Sequence, residues 1–118
     1  MSLVEKYKRK KNYPVVIANQ WGIIIYVNQK FEEVFKWMSA EIIGESLTTI
    51  IPPTLHDAHN LGFSRFLATG QSSILDKTIQ LKAIDKDGIV FKAEHCIQAE
   101  KNEEGVWTFM ATIRPLKA

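Results

Sequence analysis

From Ile74 to Pro115 apolar residues recur at every second position, and only two short polar turns break the run. Ile79, Leu81 and Ala83 share one parity against Thr78, Gln80 and Lys82. Ile89, Phe91, Ala93, His95, Ile97 and Ala99 alternate with Lys92, Glu94, Gln98 and Glu100, and Trp107, Phe109, Ala111 and Ile113 form a third series that Pro115 ends. A period of two sends alternate side chains to opposite faces of a strand, so each series is a half-buried strand. Asp85-Lys86-Asp87-Gly88 and Asn102-Glu103-Glu104-Gly105 carry the residues that tight turns between antiparallel strands need. The resulting sheet has an apolar face that another layer must cover.

The first part of the chain supplies that layer. Pro14 and Val15 to Ala18 read as a strand, Asn19-Gln20-Trp21-Gly22 as a turn, and Ile23 to Val27 as the return strand. Asn28 then stands at a helix N-cap, and Phe31, Val34, Phe35 and Met38 follow at helical spacing. Ser39, with Glu41 and Glu45 after it, suggests a second short helix that Gly44 ends. Ile50-Ile51-Pro52-Pro53 forces extended chain, after which residues 54–69 read as the longest helix, closed by Gly70. Its stripe is Leu55, His59, Gly62, Phe63, Phe66 and Leu67. The fold class expected is α+β: five antiparallel strands with the intervening helices packed on one face.

Charge is distributed unevenly. The net charge is +2, but Lys6, Lys8, Arg9, Lys10 and Lys11 against Glu5 give residues 1–13 a charge of +4, leaving −2 for residues 14–118. Residues 1–13 therefore read as a basic linker or flanking helix, with 1–3 open to being an expression scar, and residues 14–118 as one domain. The domain body is not a nucleic-acid surface, and no apolar run approaches the length that inserts into a membrane. The single Cys96 excludes an internal disulfide and suits a reducing, cytoplasmic setting. His56, His59 and His95 lack metal-ligand spacing, and there is neither a phosphate-binding glycine loop nor a nucleophile elbow, so the domain is expected to be no enzyme.

The element order, with Gly22-Ile23-Ile24-Ile25-Tyr26-Val27-Asn28, Ile43-Gly44, Ile51-Pro52 leading to Ala68-Thr69-Gly70, and Lys86-Asp87-Gly88, resembles the PAS family of sensory domains over about residues 14–114. The resemblance implies a sensory and signal-transduction module of a bacterial signalling protein such as a sensor histidine kinase. Such a module binds a small ligand or cofactor, pairs as a homodimer and relays occupancy to an output domain of the same chain. The stretch 52–70 is similar to the helix of haem-binding, oxygen-sensing members, which would make His59 the axial iron ligand and Arg65 the partner of a haem propionate. The similarity departs at Ile79, where one such branch carries an arginine that meets the bound gas.

Three readings stay open at this point: a small-ligand sensor, a ligand-free dimerisation or docking module, and a haem-based redox or gas sensor. A ligand pocket between the sheet and the helix at 54–69 would be lined by His59, Phe63, Phe66, Ile79, Leu81, Ala93, His95 and Met110. Without a cofactor, His59 is expected at the core edge on a backbone carbonyl or water, with His56 facing solvent. Small residues at Ala83, Ala93, Ala99 and Ala111 leave room for a ligand or let helices approach closely.

Overall fold

The structure is a computed structural model that describes residues 2–70 and 75–116; Ile74, where the alternating run begins, lies outside the described residues. Five strands, β1 (Val15–Ala18), β2 (Ile24–Val27), β3 (Thr78–Ile84), β4 (Val90–Lys101) and β5 (Trp107–Pro115), form one antiparallel sheet in the order β2-β1-β5-β4-β3. Helices α2 (Gln29–Phe35), α3 (Ser39–Ile42) and α4 (His56–Thr69), with short 3-10 turns at Leu47–Ile50 and Pro53–Leu55, connect β2 to β3 and cover one face. Helix α1 (Leu3–Lys8) lies on the other face.

One local device closes the three tight turns, β1–β2, β3–β4 and β4–β5. Asn19, Asp85 and Asn102 each accept, through a side-chain oxygen, the backbone N–H groups two and four residues on, at 2.9–3.1 Å. Those five-residue loops each need a left-handed residue at their fourth position, which Gly22, Gly88 and Gly105 provide.

Asn28 performs the corresponding task where strand becomes helix. Its Oδ1 accepts from Phe31 N, capping α2, and also from Val15 N on β1, both at 2.9 Å. Its Nδ2 donates to the carbonyls of Lys10 and Tyr13. One buried side chain thus fastens the N-terminal segment, the first strand and the first inner helix together, with every polar atom used.

The inner core gathers Phe31, Phe35, Ile42 and Ile50 from the helices against Val16, Val27, Ala83, Ala93, Ala111 and Ile113 of the sheet. Phe31 and Phe35 stack at 4.3 Å, one helical turn apart. The Phe35 carbonyl accepts from Lys86 N, and Lys36, left-handed at the end of α2, pairs with Asp85 and Asp87, so the helix end is bonded into the β3–β4 turn. Two sequence expectations shift here. α2 ends at Phe35, leaving Met38 52% exposed, and Ser39 is the first residue of α3 rather than its cap, because the Glu32 carboxylate takes both its N–H and its hydroxyl.

The outer face has a smaller core of Tyr7, Val15, Ile17 and Met110, with Leu3 and Val4 packed on it. The Tyr7 hydroxyl donates to Gln98 Oε1 at 2.7 Å, and Leu3 N donates to Glu100 Oε1. Burial, reinforced by the neighbouring Cys96 and Asp76, pushes the Tyr7 hydroxyl up to about 12. The basic residues that follow α1 are exposed, while its apolar side belongs to the folded unit.

Candidate functional site

Helix α4 is set by its ends. Pro52 and Pro53 exclude a helix before the 3-10 turn, and Gly70, at φ +71°, closes the last turn with its N–H on the Phe66 carbonyl. The helix reaches the sheet through two rings. Phe66 meets Trp107 edge-on at 4.7 Å and Phe109 at 5.3 Å, and Phe63 lies 4.9 Å from Phe109. Phe63 also passes over Gly22, where an added Cβ would stand 3.5 Å from the ring. Phe66 alone among the residues of α4 is buried, and Leu61 and Leu67 are exposed.

The sheet beneath is uneven. Ile79 pairs with His95 and Leu81 with Ala93, so these four side chains share the inner face. Ala93 is fully buried beneath the α2 side of the helical layer, whereas Leu81, on the edge strand directly beside it, is 40% exposed. An apolar strip of the inner face along β3 is therefore only partly covered.

The three histidines separate into different roles. His56 bonds the Ile51 carbonyl through Nε2 at 2.6 Å, so it, and not His59, holds the backbone carbonyl, and it is not the solvent-facing residue the sequence suggested. His59 is half-buried on α4 with its ring 6.0 Å from that of Phe63; burial first, and the nearby His56 second, hold its pKa below the ordinary imidazole value. His95 is buried on β4 between Ile79 and Ile113, and its Nε2 has no hydrogen-bond partner. Burial lowers its pKa too, with the Leu81 backbone carbonyl acting in the opposite direction. Both imidazoles are neutral at pH 7.

Of the eight predicted lining residues, the inner face carries Ile79, Leu81, Ala93 and His95, and α4 carries His59, Phe63 and Phe66. Met110 is a correction. It packs on the outer face against Tyr7, Val15 and Ile17, since its neighbours Phe109 and Ala111 already point inward and successive strand residues alternate. Cys96 shares that outer side, close to Tyr7. Two surface hollows open elsewhere, one beside Ser2 and Glu100, the other between Lys8 and Lys30, and none of the predicted lining residues borders them.

A haem group would need an imidazole and a slot. The neutral ring of His59 meets the first need. The layer between α4 and β5 is filled by the contacts among Phe63, Phe66, Trp107 and Phe109, and Arg65 is an exposed residue. As arranged, these residues do not fit a haem.

The sequence profile described as "PAS domain" matches residues 12–114. An uncharacterized protein of Azorhizobium caulinodans is 35% identical over 103 residues, covering 86% of this chain and 14% of that one. A probable serine/threonine-protein kinase of Dictyostelium discoideum is 26% identical over 84 residues, 71% of this chain and 6% of the kinase, so the chain spans a small fraction of both relatives. Among solved structures, the PAS domain of a protein from Colwellia psychrerythraea superposes with a TM-score of 0.77 at 14% identity, over 96% of this chain and 92% of that one.

Proposed function

The chain belongs to the PAS domain family of sensory modules, and from that premise we propose that it takes up a small apolar ligand between α4 and the inner face of β3 and β4. Occupancy would be relayed through the sheet to an output domain of a longer, cytoplasmic bacterial signalling protein, a sensor histidine kinase, acting as a homodimer. The relatives support a place in a longer chain, since the matched stretch is 14% and 6% of their lengths. The domain itself is assigned binding and relay, not turnover.

The observation that carries this reading is the contrast between Leu81 and Ala93. They are cross-strand partners on one face, yet one is 40% exposed and the other fully buried. Apolar surface left in water costs about 25 cal/mol per Å² relative to burial, so a site that keeps it bare is ready to gain from an apolar guest. A lightly anchored helix on the same face of the sheet lowers the cost of admitting one.

The test is methyl NMR of the protein titrated with indole. Shifts of the Ile79 and Leu81 methyls and of α4 resonances, larger than that of the outer-face Met110 methyl, are the expected result. Indole that perturbs no inner-face methyl at saturating concentration would instead favour a ligand-free dimerisation or docking module.

A further inference from the structure

His95 is the side chain in this region whose chemistry is left incomplete. It is 9% exposed, and Nε2 makes no hydrogen bond. A buried polar atom without a partner costs about 1–3 kcal/mol, which a chain avoids unless something else satisfies it. Trp37 Nε1 is the other such side-chain atom among the described residues, but it belongs to the link between α2 and α3, packed on the closed core. His95 instead stands on β4 between Ile79 and Ile113, one pair along from the exposed Leu81.

The form of the imidazole decides what can complete it. Burial keeps the ring neutral at pH 7, so it has one N–H and one lone pair. The Leu81 carbonyl beside the ring can only accept, which favours the proton on the nitrogen facing it. With the proton on Nδ1, Nε2, the atom with no partner, is the lone pair. A lone pair in apolar surroundings calls for a hydrogen-bond donor. A carboxylate would meet it acceptor to acceptor, and a cation would be stripped of water among Ile79, Leu81 and Ile113.

We infer that the ligand of this domain is an uncharged, largely apolar molecule bearing a hydroxyl or N–H group, and that this group donates to His95 Nε2. The inference rests on the proposed pocket between α4 and β3–β4 and adds the chemistry of its guest.

A matched pair of probes, 2-naphthol and 2-methylnaphthalene, tests it, because the two differ by a hydroxyl in place of a methyl. The wild-type protein binds 2-naphthol roughly tenfold more tightly in a titration followed by fluorescence, the difference one satisfied hydrogen bond makes. The preference disappears in His95→Leu, and the imidazole ¹⁵N resonance of Nε2 in the wild type moves with 2-naphthol and not with the methyl analogue. The ¹⁵N measurement needs no variant and stands even where His95→Leu folds poorly. Equal binding of both probes at the inner face, with an unmoved Nε2 resonance, overturns the inference and leaves the pocket in place. Binding of neither probe overturns the pocket reading and the inference together.

Discussion

Two groups of helices cover the same face of one sheet, and they do so very differently. Beside β1 and β2 and near the Asp85–Gly88 turn, α2 and α3 contribute Phe31, Phe35 and Ile42, each fully buried, and the end of α2 is bonded into the turn through Phe35 O and Lys36. Over β5, α4 is twice as long, with 14 residues against seven, yet buries only Phe66. Length does not secure a helix here; matched rings and bonded ends do. The first group forms the part of the fold that has to be invariant, and the second is the part able to yield to a guest.

The contrast can be tested by deletion. Phe35→Ala removes a ring stacked on Phe31 and in contact with Phe91, and is expected to cost about 3–5 kcal/mol, enough to unfold much of the population in a urea titration. Phe63→Ala, on the half-buried side of α4, is expected to cost about 1–2 kcal/mol and to leave the sheet folded. Equal losses at both sites would erase the distinction between the two regions.

A polar deletion sharpens it from the closed side. Asn28→Ala strands the Val15 and Phe31 N–H groups and frees the Lys10–Tyr13 segment, for an expected loss of about 2–3 kcal/mol by the same titration. Hydrogen exchange of β1 and α2 should accelerate along with it.

The smallest effect is in pH. His59 and His95 both belong to the yielding region, and both have folded pKa values below the ordinary 6.5. The unfolded chain therefore takes up protons first as pH falls, so the stability present above 6.5 declines as pH drops through 6.5 toward the folded values. Melting temperatures measured from pH 7.5 down to 5.5 should fall, and His95→Leu should flatten that slope, while Phe35→Ala lowers the curve without changing its shape.

Most of the fold was legible because its signals are local. The period of two in β3, β4 and β5, the Asx-and-glycine turns at 19–22, 85–88 and 102–105, and the Asn28 cap each depend on a few neighbouring residues. The site was harder. All four residues of β1 are buried, as are Phe109, Met110 and Ala111 of β5, because α1 covers the back of the strands that the other helices cover in front. With both faces covered, apolar residues of either parity are buried, so Met110 reads as a lining residue although its parity opposes that of Phe109 and Ala111. Leu3, Val4 and Tyr7, spaced for one helical face amid lysines, were the signal for that second cover. Which of His56 and His59 meets a carbonyl turned on the 3-10 turn at Pro53–Leu55, which the two prolines announce only as extended chain.

Phe109 and Met110 are consecutive residues of the central strand, one in contact with α4 and the other with α1. The strand is a party wall between two rooms, a single peptide unit thick. A residue inserted within β5 would exchange the tenants of the two rooms, while one inserted in the 102–105 turn would disturb neither. Whatever tilts the wall on the ligand side is felt at once on the other, with no longer route to travel.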